Sequence, residues 1–293
     1  MNGGASGRAP GPPDGGGPEP AKLLELAVEV VRLGAATARR MRAEGISQVS
    51  TKSSATDVVT AADRAVERQV VAALRAARPY DSVLGEEYGA AAALGAGTAP
   101  GAGTGTGAVR WILDPIDGTV NYLYGLPQYA VSLAAEVDGQ VVAAVVHNAA
   151  SGEEWTAVQG AGAYRDGRRL RGSTETRLSQ ALVATGFGYD PARRTHQAAV
   201  LARLLPLIRD IRRCGAAAID LCLAAEGAVD AYYEKGLNAW DHAAGGLVAA
   251  EAGLIVAGLS GAPPGPDLVV AAPPTLFDAL HDRLMEYDAA GGP

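Results

Sequence analysis

Two aspartates stand three residues apart in Trp111-Ile112-Leu113-Asp114-Pro115-Ile116-Asp117-Gly118-Thr119-Val120-Asn121. Proline fixes its own φ and keeps the residue before it out of the helical region. Both carboxylates can therefore turn toward one point. Gly118 lets a ligand approach the backbone, and Thr119 adds a hydroxyl. Two carboxylates held together repel, and a hard divalent cation with oxygen ligands relieves that. The motif taken alone also suits a type I turn, which favours Asp at its first position and Pro at its second. Other acidic residues bear on the choice. Glu86 follows the strand-like Ser82-Val83-Leu84, Glu234 ends Ala231-Tyr232-Tyr233, and Asp241 precedes an Ala-rich run. Thr60 and Asp63 form an [ST]-x-x-[DE] pattern. Each has an ordinary explanation: a solvated charge for Glu86, a capping box for Asp63, a helix N-cap for Asp241. Their joint occurrence at element ends is not explained that way. With two cysteines and four histidines in the chain, a carboxylate cluster suits Mg²⁺ rather than Zn²⁺. His242 has no partner at ligand spacing and reads as a packing or helix-surface residue.

The positioning elements follow from periodicity. Val109 and residues 111–113 read as a buried strand, and open α/β sheets place ligands beyond the carboxyl ends of strands. Apolar residues from Leu23 to about Met41 recur at helical spacing. Residues 52–60 read as irregular or extended, and a second helix follows Thr60 until Arg78-Pro79. An antiparallel meander occupies 129–170, with type I′ hairpin signals at Asp138-Gly139 and Asp166-Gly167. Residues 195–209 are expected as a helix that Pro206 ends or kinks, and 217–225 as a helix entered from 211–215. A strand over 231–234, a helix over 242–252 that follows Asp241 and is ended by Gly253, a strand over 269–272 and a closing helix over 275–287 complete the chain. Residues 1–20 lack core-forming residues and read as a disordered tail. The Ala/Gly/Thr run at 89–108 reads as a flexible insertion at the edge of the site. The domain expectation is this tail, an N-terminal α+β domain over 21–175, and a C-terminal α/β domain over 176–293.

Composition excludes several classes. The chain has 293 residues, 48% hydrophobic and 19% charged, with net charge −7. That is globular, and too acidic for a nucleic-acid surface. Arg165, Arg168, Arg169 and Arg171 cluster, and read as a solvated hairpin face. Cys214 and Cys222, read as sharing one helix, form no disulfide or metal motif. No apolar run reaches membrane-spanning length, and no signal pattern opens the chain. The expectation is a soluble cytoplasmic protein.

On these residues the chain resembles the inositol monophosphatase family of Mg²⁺-dependent, lithium-sensitive sugar phosphatases. The likeness runs from about residue 23 to 287. Residues 111–119 match the family's first signature, Trp240-Asp241-His242-Ala243-Ala244-Gly245 its second, and Gly85-Glu86-Glu87 its acidic loop. Lys52-Ser53 through Asp63 resembles its N-terminal metal-site segment. The resemblance implies an α/β (α+β) fold of alternating helix and sheet layers, and commonly a homodimer. It implies two or three Mg²⁺ ions on Glu86, Asp114, Asp117, Asp241 and the Ile116 carbonyl. It implies phosphate held at Gly118 and Thr119, and water activated by Thr119 with Asp63 and Glu86. Gly215, Ala216, Ala217 and Glu234 match positions that meet the alcohol. Relatives often carry a hydroxyl residue where Ala216 stands, which removes one substrate contact. The substrate expectation is a phosphate monoester of a small polyol, myo-inositol monophosphate first. Fructose-1,6-bisphosphate, histidinol phosphate and phosphoadenosine phosphate are alternatives within the family. A regulatory binding protein without turnover is the alternative from another class.

Overall fold

Alternation along the central strand assigns its two faces to two different cores. Val109, Trp111 and Leu113 face one core and Ile112 the other. A strand imposes that period of two, and it demands apolar cover on both faces of the sheet. The computed structural model describes residues 19–45, 49–51, 58–89 and 107–293. After α1 (Pro20–Glu44), a short antiparallel pair, β1 (Ser50–Thr51) and β2 (Val58–Val59), leads to α2 (Ala61–Ala77). The first large sheet comprises β3 (Ser82–Gly85), β4 (Val109–Asp117), β5 (Ala130–Val137), β6 (Gln140–Asn148), β7 (Glu154–Val158), β8 (Gly162–Arg165) and β9 (Arg168–Arg169). Its seven strands lie in chain order. β3 is parallel to β4, and the other pairings are antiparallel. A short α3 (Thr119–Tyr124) follows β4 directly.

The second sheet has five strands: β10 (Leu182–Thr185), β11 (Asp210–Arg212), β12 (Ala231–Glu234), β13 (Ile255–Ala257) and β14 (Val269–Ala272), in the order β11-β10-β12-β14-β13. Its helices are α4 (Pro191–Leu204), α5 (Ala217–Ala225), α6 (Ala239–Glu251) and α7 (Pro274–Glu286). Leu23, Val30 and Val31 of α1 and Val66 and Val70 of α2 cover one face of the first sheet. Leu221 of α5 and Val248 of α6 fill the space between the sheets, against Ile112 and Trp155 on one side and Tyr232 and Val269 on the other. Val200 and Leu204 of α4 and Leu276, Leu280 and Leu284 of α7 cover the outer face of the second sheet. Helix and sheet layers therefore alternate five deep, as the resemblance implies.

Several expectations change in detail. α1 opens at Pro20, within the segment read as a tail, because proline suits the first turn of a helix; residues 1–18 lie outside the described residues. So do 52–57, and 90–106 of the expected insertion. Cys214 does not share a helix with Cys222. It precedes Gly215, whose φ of +90° breaks the chain ahead of α5. α4 begins at Pro191, capped by Asp190, four residues before the expected start. Arg165 is not a solvated hairpin residue. It lies 5.4 Å from the Trp155 ring centroid and reaches Glu226, at the end of α5, at 2.8 and 3.0 Å. Both Asp-Gly turns hold positive φ at both residues, as type I′ requires.

Candidate active site

The site grows from a helix cap. Thr60 is the N-cap of α2, and its hydroxyl accepts from the Ala62 N–H at 3.1 Å. Asp63 Oδ2 accepts from the Thr60 N–H at 2.8 Å and from its hydroxyl at 2.6 Å. The other oxygen, Oδ1, faces the Thr119 hydroxyl at 3.0 Å. The capping box and a second task for Asp63 therefore coexist, one carboxylate oxygen to each. The Thr119 hydroxyl is also 3.0 Å from the Ile116 carbonyl oxygen. A hydroxyl has one proton to give, so two acceptors share one donor.

At the end of β4, Asp114 Oδ1 accepts from the Ile116 N–H at 3.0 Å. Asp117 reaches across 100 residues of sequence to the start of α5. Its two oxygens accept from the Ala217 N–H at 3.2 Å and the Ala218 N–H at 2.7 Å. Ala216, the N-cap position of α5, has no capping side chain, so Asp117 does the work of a cap, which is worth about 1 kcal/mol. Gly118 follows at φ +88°. A Cβ there would stand 2.7 Å from the Gln128 carbonyl oxygen and 3.1 Å from Ala216 Cβ. Only glycine fits, and the small Ala216 packs directly behind it.

The remaining carboxylates arrive from elsewhere. Glu86 lies in the turn after β3. Glu67, one helical turn beyond Asp63 on α2 and fully buried, shapes that turn: its carboxylate accepts from the Glu87 N–H at 2.8 Å and the Tyr88 N–H at 3.2 Å. Sequence reasoning missed Glu67. The available signal was an acidic residue beside Val66 on the apolar stripe of α2. Asp241 is in the first turn of α6 rather than at its N-cap. Asn238 is the cap, and its N–H donates to Asp241 Oδ2 at 2.6 Å. Glu234 Oε2 accepts from the Tyr232 hydroxyl at 2.8 Å.

A cavity of about 760 Å³ is lined by Glu86, Asp114, Ile116, Asp117, Gly118, Thr119, Gly215, Ala217, Glu234 and Asp241. Asp63 and Ala216 stand behind its wall, under Thr119 and Gly118. Arg193, Arg213 and Lys235, which sequence reasoning did not single out, also line it. Burial, followed by the charges of Asp220, Glu234 and Glu86, pushes the Asp117 carboxyl up to about 8, against the Ala218 N–H that lowers it. Burial and then the charge of Asp117 push Asp241 well above the usual carboxylate range. Burial lifts Glu234 to about 7, with Asp220 adding to it and Tyr232 and Arg213 opposing. Among the described residues, no three His, Cys, Asp or Glu side chains stand grouped to hold a metal ion as they are placed. The donor set nevertheless fits one. It is all oxygen, and buried carboxylates that repel one another are the environment a divalent cation relieves. Each Asp117 oxygen keeps a lone pair beyond its amide bond.

Layered fold and carboxylate-lined cavity together define a sugar-phosphatase-like class. The chain belongs to the inositol monophosphatase family, whose model matches residues 19–288. That family is metal-dependent. Among relatives, the inositol-1-monophosphatase of Mycobacterium leprae is 45% identical, over 92% of this chain and 96% of that one. The solved structure of Mycobacterium tuberculosis SuhB superposes with a TM-score of 0.76 at 40% identity, covering 93% of this chain and 99% of that one. A Pseudomonas aeruginosa protein named Nus factor SuhB is 41% identical over 71% of this chain and 74% of its own.

Proposed function

We propose that this protein hydrolyses the phosphate monoester of a small polyol, myo-inositol monophosphate first, with magnesium ions and an activated water. The observation that carries this is the Thr119 hydroxyl, held between Asp63 and the Ile116 carbonyl on the wall of a cavity that Glu86, Asp114, Asp117, Glu234 and Asp241 also line. Glu86, Asp114, Asp117, Asp241 and the Ile116 carbonyl would hold the ions. Bound magnesium would supply charge neutralisation and a water of lowered pKa. Phosphoryl transfer asks for positioning and charge stabilisation more than for a covalent nucleophile. The chain meets that demand. Asp63 accepts a hydrogen bond from the Thr119 hydroxyl, whose oxygen is then oriented to accept one from the attacking water. Gly118 leaves its backbone open to phosphate. Glu234 and the 215–217 backbone face the alcohol, where Ala216 offers no hydroxyl.

The reading also takes in lithium inhibition, a homodimer and a cytoplasmic location, together with a division into domains near residues 175 and 176. No helix among the described residues is long and apolar enough to cross a membrane. A phosphate-release panel over inositol, fructose, histidinol and nucleotide phosphates, with magnesium and with chelator, tests the proposal. Inositol monophosphate should be turned over fastest, and chelation should abolish release. Release from none of them with magnesium present would favour the second reading, a regulatory binding protein, which the relative named Nus factor supports.

A further inference from the structure

Beyond Glu234 the wall of the cavity includes Pro293, the last described residue of the chain. After α7, Ala289 is buried in the core beneath the second sheet. The backbone continues to Pro293, which reaches the cavity and lines it. Five of the six carbonyls between Asp288 and Pro293 are gripped. His196 Nε2 donates to the Asp288 oxygen at 2.7 Å. Lys235 Nζ donates to the oxygens of Ala290, Gly291 and Gly292 at 2.7, 2.5 and 3.1 Å. Arg193 Nε donates to the Pro293 oxygen at 3.0 Å. Gly292, at φ +77°, has no room for a Cβ, which would meet His196 Cγ at 2.6 Å.

Lys235 is the centre of this grip. It follows Glu234 in the chain and is buried, and an ammonium has three protons to give. All three find carbonyls in one six-residue segment. A buried ammonium is costly unless paired or hydrogen-bonded, so the segment and the lysine require each other. The same residue is tied on its backbone side: the Lys235 carbonyl accepts from Gln197 at 3.4 Å, and Gln197 accepts from the Gly188 N–H at 3.0 Å. Gly188 is itself on the cavity wall.

We propose that residues 288–293 are a strap that sets the alcohol-side wall of the cavity, and that Lys235 is the positioning residue that fixes both strap and Glu234. The proposal rests on the reading of Glu234 as the group that meets the alcohol. With the strap in place, the cavity is closed beside Glu234 and the carboxylate is held at one distance from the metal-side residues. Without it, Arg193 and Lys235 turn to solvent and the end of β12 loses its support. A substrate read through its hydroxyls suffers, and one read through its phosphate alone does not.

Two variants test this independently: Lys235→Met, and a chain ended after Tyr287. Each is assayed with magnesium on myo-inositol 1-phosphate and on para-nitrophenyl phosphate, and hydrogen exchange is followed over 231–238. In both variants the ratio of the two kcat/KM values should fall about fivefold or more, mainly through KM for the inositol ester. Exchange over 231–238 should speed up, and Lys235→Arg should restore both readouts. An unchanged ratio, an equal loss on both substrates, or unchanged exchange overturns the proposal. A wild-type protein inactive on the inositol ester would count against the functional reading instead. Exchange over 231–238 then decides the strap alone: faster in both variants supports it, unchanged overturns it.

Discussion

The two sides of the cavity are built by opposite means. On the Asp63–Thr119 side, a carboxylate from a helix cap and the Ile116 carbonyl from a strand end each lie 3.0 Å from one hydroxyl. On the Glu234 side, the wall comes from the end of β12, from α4 and from Pro293, whose segment is held by a lysine and an arginine at its backbone oxygens. The first side is made of short polar side chains tied to the backbone, which have little freedom to lose. The second depends on long cationic side chains, which lose more rotamer entropy when ordered, and on loops. A site divided this way can keep its chemistry constant while its choice of alcohol varies.

The sharpest way to break that comparison is at the strand end. Asp114→Asn removes charge from the carboxylate group while keeping its shape. Turnover on every substrate should fall by about two orders of magnitude or more, with Tm held or raised. Comparable activity in the variant at saturating magnesium would remove the carboxylate-metal reading.

Glu67→Gln comes next. It replaces a carboxylate that accepts from two backbone amides with an amide that can accept through only one oxygen, so the turn carrying Glu86 should loosen. The loss should be about 10–100-fold, in the range of outer groups that orient metal ligands. It should appear as a raised magnesium requirement, identical for inositol and aryl phosphates. A normal magnesium titration would separate Glu67 from the metal side.

Glu234→Gln addresses the other wall. A hydrogen bond to a charged acceptor contributes roughly 1.5–3 kcal/mol, or about ten- to hundredfold in kcat/KM for inositol phosphate. The para-nitrophenyl ester should change little. Equal losses on the two would place Glu234 in support of the metal side or the fold, and the two walls would no longer be separable.

The smallest expected effect lies outside the cavity and serves as its control. Glu154 accepts from Arg32 of α1 at 2.8 and 2.9 Å and pairs with His147 at 3.0 Å. Burial raises its pKa, but those bonds outweigh burial and hold it down to about 2. A depressed carboxylate stabilises the fold above its unfolded value, near 4.5, and that contribution drains away as pH falls toward 2. The Arg32 side chain is 62% exposed, so screening leaves about 1 kcal/mol for its pair. Arg32→Met should therefore lower Tm by about 2–4 °C at pH 7, with the gap narrowing below pH 4.5 and activity unaffected. A gap unchanged at pH 2 would assign Arg32 to packing rather than charge.

Much of the Asp63–Thr119 side was legible because its signals are local. A proline between two aspartates, a glycine that tolerates φ of +88° and an [ST]-x-x-[DE] cap each express their physics within a few residues. The apolar run of Val109 and residues 111–113 likewise called for a buried strand. The N-cap explanation of Asp241 places the helix start three residues late. Asn238 holds the cap, and Asp241 faces inward from the first turn.

By itself the amino-acid order determined the strands and helices, the positions of the acidic residues at their ends, and the family to which they belong, since periodicity, capping and turn chemistry act over neighbouring residues. Only the tertiary structure decided that Asp117 caps a helix 100 residues away, that Glu67 shapes the Glu86 turn, and that Lys235 grips the strap. Those contacts join segments whose separation along the chain carries no periodic signal. Each is made because a buried carboxylate, ammonium or amide must find a partner once the layers close, and the partner it finds is set by the packing of the layers.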